Sequence, residues 1–70
     1  MTVRERLAEN LRNILAQRNM TIDALAEESG VRKGTIINWL YVRHSPTLEP
    51  LYDVANALGM TIDELVKEKK

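Results

Sequence analysis

Few side chains in this sequence could make or break a covalent bond. His44 beside Ser45 is the one pairing with nucleophilic potential. No acid stands near to orient the imidazole, and Ser45-Pro46 reads more simply as a turn and cap signal. The pairs Glu27-Glu28 and Asp63-Glu64 are sequence neighbours and point different ways on a helix. They suit the positive ends of helix dipoles and the solvated surface better than a metal ion. There is no cysteine, so disulfides, thiolate nucleophiles and cysteine zinc sites are excluded together. What remains is hydrogen-bonding chemistry, concentrated in Arg32-Lys33-Gly34-Thr35 and, one turn later, Asn38. Arg and Lys donate to guanine acceptors, Asn pairs with an adenine edge, and Thr reaches a thymine methyl or an acceptor. The plainer reading of the same run is a solvated helix end, so the elements that hold it decide between the two.

Those elements are helices. Val3, Leu7, Leu11, Ile14 and Leu15 recur at helical spacing, predicting a first helix over about residues 3–18. Thr2 with Glu5 is a capping box at its start. Thr21 caps a second helix, with Asp23 at its positive end and Gly30 as a left-handed stop. The segment Val31–Leu40 follows, apolar at Val31, Ile36, Trp39 and Leu40. Trp39 reads first as core packing and only second as a base-stacking surface. Residues 41–46 form a loop, and Thr47 opens a fourth helix that tolerates Pro50 in its first turn. The fourth stripe is Leu48, Leu51, Val54, Ala55 and Leu58, ended by Gly59. Thr61 with Glu64 is a second capping box, opening a fifth helix through Leu65 and Val66, and 67–70 is expected to be a frayed basic tail. Met20-Thr21-Ile22-Asp23 recurs as Met60-Thr61-Ile62-Asp63, but the likeness ends at the next leucine. Shared capping chemistry explains it better than a tandem repeat. No stretch carries a strand signal.

Seventy residues at 8.0 kDa leave room for one small domain, residues 1–70, with little space for an enclosed substrate cavity. A binding module therefore outranks an enzyme. With 44% apolar and 29% charged residues the chain belongs among ordinary globular proteins rather than disordered ones. No apolar run approaches the roughly 18 residues that span a bilayer. The first twenty residues carry too many charges for a signal peptide. A cytoplasmic location is expected.

The second and third helices, joined by Ser29-Gly30-Val31 with Ala26 small enough for close approach, form a helix-turn-helix pattern. Its second helix can enter the DNA major groove, which is about 12 Å wide. From Leu15 to Leu65 the chain resembles the Cro and lambda-repressor family of helix-turn-helix domains. The resemblance rests on Met20–Ala26, Ser29-Gly30-Val31, Thr35-Ile36, Asn38-Trp39, Ser45–Glu49 and Leu58–Leu65. It implies an all-α, compact five-helix bundle that binds operator DNA as a dimer. It also implies base readout by Arg32, Lys33, Thr35 and Asn38, and phosphate contacts by Thr21, Arg43 and Ser45.

Several positions depart from the family pattern. Ile22 replaces a common glutamine and Arg32 a Ser or Thr cap, and Gly34, without a side chain, sits near a position that often supplies a base contact. Val42 replaces a common glycine, so the loop is expected to take a different path. Leu15 and Leu40 stand where many members pair an arginine with a glutamate. Replacing both partners avoids stranding a buried charge, so the two leucines are expected to touch in the core.

The net charge is zero, but it is unevenly distributed. Residues 1–18 carry four Arg against two Glu, and residues 19–31 carry three acids and no base. Residues 32–43 carry Arg32, Lys33 and Arg43 with no acid, and residues 44–70 three Lys against five acids. The acid-free segment is the proposed reading surface, which favours DNA there with modest affinity and a shallow salt dependence. Ile37, Tyr41, Val42, Tyr52 and Met60 are hard to bury in one small core. An exposed apolar cluster can mark an association surface, so Tyr41, Val42, Tyr52 and Met60 are the expected homodimer contacts. Together these readings point to a sequence-specific regulator of transcription, a repressor acting on double-stranded DNA by operator occupancy. No catalytic residue, metal, cofactor, membrane or small-molecule substrate is expected. The alternative is a protein-interaction module or antitoxin-type domain that keeps the fold with weak or lost DNA readout.

Overall fold

A computed structural model of the chain describes residues 1–68. Its element order is α1 (Val3–Gln17), α2 (Ile22–Ser29), α3 (Lys33–Leu40), α4 (Leu48–Leu58) and α5 (Ile62–Val66). The expected tail at 67–70 begins directly after α5, and residues 69–70 lie outside the described residues. α1 packs on α3 and α5, α2 on α3 and α4, and α4 closes against α5. One core joins all five, with Leu7, Leu11, Leu25, Ile36, Val54 and Leu65 among its fully buried members. Leu15 and Leu40 lie in the same core, contributed by the packed helices α1 and α3.

The local chemistry sets the helix ends. Thr2 and Glu5 bond reciprocally at the start of α1, as Thr61 and Glu64 do at α5. Hydrogen bonds from the backbone and hydroxyl of each threonine hold the Glu5 and Glu64 carboxyls below their ordinary value. Thr21 Oγ1 accepts the Ala24 amide at 3.0 Å, and Gly30 ends α2 with φ 75°. Thr47 occupies the α4 cap without a side-chain bond.

Helices α1, α3 and α4 end in the same double turn, with the next two amides reaching back to carbonyls of the last turn. At α1, Met20 N donates to Leu15 O and Asn19 N to Ala16 O. At α4, Met60 N donates to Ala55 O and Gly59 N to Asn56 O. At α3, Arg43 N donates to Asn38 O at 2.8 Å and Val42 N to Trp39 O at 3.1 Å. The left-handed residues at these ends are Asn19, Gly59 and Val42 respectively. Val42 was expected to divert the loop; instead it adopts φ 56° itself, a conformation that strains a β-branched residue.

Two stripe positions prove exposed. Val3 and Leu48 are the first residues of α1 and α4, and they face solvent beyond the edge of the core. Asn10, by contrast, is buried. Its Nδ2 donates to Leu65 O and Lys67 O, both at 2.8 Å, while Arg6 Nε donates to Val66 O at 2.9 Å. Two side chains of α1 thus satisfy the carbonyls at the end of α5, which would otherwise lack partners.

Candidate nucleic-acid interface

The turn between α2 and α3 is held from both sides. Gly30 N donates to Ala26 O at 2.9 Å, and Val31 N to Ser29 Oγ at 3.2 Å. Val31 and Ile36 are buried beyond it, so α3 is anchored close to its start. Arg32 occupies the α3 cap position in extended conformation and makes no capping bond with its side chain. The leading end of α3 is therefore open, with Arg32, Lys33 and Gly34 all exposed.

At 3.6 residues per turn, the faces of α3 follow from its buried residues. Ile36, Trp39 and Leu40 face the core, which places Gly34, Asn38 and Tyr41 on the opposite side. The four expected readout residues therefore divide. Asn38 lies on the outward stripe, half-buried, and its side-chain amide has no protein partner among the described residues. Lys33 leans toward α2, where its Nζ meets Asp23 Oδ1 at 2.8 Å. Arg32 and half-buried Thr35 lean the other way, into a shallow cleft of about 200 Å³ that they share with Glu49, Pro50 and Asp53 of α4.

The acid-free segment is thus not an acid-free surface. Asp23, Glu49 and Asp53 come from other elements and border it. The exposed Lys33–Asp23 pair is worth little, about 0–1 kcal/mol, so a phosphate or a base edge can displace it.

The expected phosphate contacts stand as follows. The Thr21 oxygen is already accepting as a helix cap, leaving its hydroxyl proton free to donate. Arg43 and Ser45 are exposed past the end of α3. Arg43 lies over the Tyr41 ring, 5.3 Å from its centroid, and Arg12 of α1 lies 5.8 Å from the same centroid. Arg12 Nη2 also donates to Leu40 O at 2.6 Å. Nothing local in the sequence marked Arg12, because the group that positions it lies 28 residues away. It ties α1 to the end of α3 beside the buried Leu15 and Leu40. Among the described residues, Arg12 and Arg43 have no carboxylate partner, so two unneutralised cations flank one aromatic ring at the end of the outward stripe.

The expected dimer residues are less uniform. Tyr41 and Tyr52 are 62% and 54% exposed. Val42 is half-buried, and Met60 packs against the core while lining a groove of about 440 Å³ with Asn10, Ile14 and Gln17. His44 and Ser45 are both exposed.

Two packed helices joined by a tight turn, the second burying one side and presenting the other, define a helix-turn-helix protein. The sequence model of the Cro/C1-type HTH DNA-binding domain matches residues 10–69, and the chain belongs to that family. Comparison with curated proteins and with solved structures returns no match.

Proposed function

We propose that the chain is a sequence-specific regulator of transcription, a repressor that occupies its operator as a two-fold dimer in the cytoplasm. The observation that carries this reading is the presentation of α3. Its core side is locked by Ile36, Trp39 and Leu40, and its leading end is uncovered. Arg32 and Lys33 reach guanine edges, Asn38 an adenine, and Thr35 a thymine methyl or an acceptor. Thr21, Arg43 and Ser45, joined by Arg12, hold the phosphates on either side. No bond is made or broken and no cofactor takes part.

Two copies meeting through Tyr41, Val42, Tyr52 and Met60 would set two recognition helices about 34 Å apart on one face of DNA. A body measuring 29 × 23 × 19 Å is the right size for that spacing. Titration of mixed-sequence duplex at low salt, repeated with Lys33→Ala and Asn38→Ala, tests the reading. Both substitutions should weaken binding. Sedimentation with and without duplex should show a dimer on DNA, and a monomer in both conditions refutes the two-fold arrangement.

The acids bordering α3 favour one second reading. Asp23, Glu49 and Asp53 suit a basic protein segment better than a phosphate backbone. DNA binding that ignores both substitutions would favour an interaction module or antitoxin-type domain.

A further inference from the structure

Gly34 has no structural reason to be glycine. It lies within α3 and does not have the positive φ seen at Gly30 and Gly59. A Cβ built on it would meet nothing within 4 Å. Glycine in a helix interior costs up to about 1 kcal/mol relative to alanine, less in the first turn where Gly34 lies, and nothing in the fold offsets that here. The remaining physical use of a missing side chain is close approach of another molecule to the backbone.

The surroundings say what kind of molecule. Gly34 sits on the outward stripe, directly opposite the buried side of α3. Ile37, one turn on, is half-buried yet is not among the partly buried residues that pack against the core. Asn38 beside it carries an amide without a protein partner. With no side chain at Gly34, the three leave a notch-like apolar gap on the outward face of α3, beside one paired donor and acceptor. In the major groove, an apolar contact of this size suits the thymine C5-methyl, and the asparagine amide suits the N6/N7 edge of adenine.

We infer that the Gly34–Ile37 notch seats a thymine methyl while Asn38 pairs with a neighbouring adenine, making Gly34 a specificity-determining position. This inference rests on the DNA-binding reading above and narrows it to an A·T-containing step. A Cβ at position 34 holds α3 away from the groove floor, whereas the free protein gains helix stability from it.

The test uses the duplex recovered by random-site selection with the wild-type chain. The recovered sites should share a thymine next to an adenine. Replacing that thymine with deoxyuridine should weaken binding by about fourfold, the worth of one buried methyl-sized group. Gly34→Ala should melt a few degrees higher and bind the same duplex about tenfold or more weakly. Ile37→Ala should lose the distinction between thymine and deoxyuridine.

Sites without a shared thymine, or deoxyuridine binding as well as thymine, overturn the notch. So does a Gly34→Ala protein that is stabilised and binds like wild type. In each of these cases the DNA reading stands. A selection that recovers no shared sequence overturns the inference and that reading together.

Discussion

The junction of α1 with α3 offers a sharp test, because Leu15 and Leu40 lie in the core that these helices share. They are 8% and 6% exposed. Changing Leu15 to arginine places an unpaired cation in that apolar site, and Leu40→Glu does the same with an anion. An uncompensated buried charge costs about 3–5 kcal/mol. A 70-residue domain has only about 4–10 kcal/mol of total stability. Each single variant should therefore be close to unfolded or largely so. The double variant, L15R with L40E, restores a pair and should refold, remaining about 1–4 kcal/mol below wild type. Urea unfolding followed by Trp39 fluorescence is a direct readout, since this indole is 3% exposed. A coupling energy of at least about 2 kcal/mol is expected from the cycle. Leu15→Met serves as the volume control and should cost less than about 1.5 kcal/mol. A harmless Leu15→Arg, or two single effects that add within about 0.5 kcal/mol, would refute the account of a shared buried site.

Other substitutions probe the remaining devices. Asn10→Ala removes two hydrogen bonds and leaves the Leu65 carbonyl without its partner; a loss of about 2–4 kcal/mol is expected in thermal unfolding, and less than about 0.5 kcal/mol would contradict the role. Val42→Gly relieves a left-handed strain of about 1–2 kcal/mol against about 0.5–1 kcal/mol of added unfolded-chain entropy. Its melting temperature should rise by a few degrees, and a fall would show that the half-buried valine side chain matters more than the strain. Glu5 and Glu64 have lowered folded-state values relative to an ordinary 4.5, so their contribution is present above that pH and is lost as pH falls through the lowered values. The variant with both changed to Gln should lose less stability than wild type in an acid titration through that range; identical profiles would remove the capping boxes from the acid response. On DNA, Arg12→Ala and Arg43→Ala should each reduce the slope of log affinity against log salt by about 0.9 per lost phosphate contact, and an unchanged slope would place that guanidinium off the backbone.

Helix ends were legible in the sequence because capping is local. Thr2 with Glu5, Thr61 with Glu64, Gly30 and Gly59 each act within one turn, and all four sites behave as their residue types dictate. Val42 shows the opposite case. Valine is poorly suited to φ 56°, and it takes that conformation because the double turn after α3 holds it there through Arg43 N and Asn38 O. Asn10 and Arg12 were opaque for another reason. The carbonyls that Asn10 binds lie 55 and 57 residues away, and the one that Arg12 binds lies 28 residues away. The candidate readout residues were legible as a run of hydrogen-bonding types. Their division between α2, the outward stripe and the α4 cleft was not, since it depends on where Asp23, Glu49 and Asp53 are brought.

The two ends of α3 are built to different standards, and the difference bears on how it could work. At its C-terminal end Trp39 and Leu40 are buried, the Arg12 guanidinium binds the Leu40 carbonyl, and two further amides close the last turn. At its N-terminal end the cap residue makes no side-chain bond, and the second helical residue is a glycine. An eight-residue helix is far too short to persist on propensity alone. Its order must come from packing at both ends, Trp39 and Leu40 at one and the buried Val31 and Ile36 at the other, while its leading turn lacks a side-chain cap. That is the turn a groove would enclose, where base edges and phosphates supply the partners the chain withholds. The buried residues at both ends fix where α3 points, while the exposed side chains of Arg32 and Lys33 stay free to meet a partner. The uncapped first-turn amides and the exposed side chains beside them are therefore the groups of α3 that another molecule could satisfy.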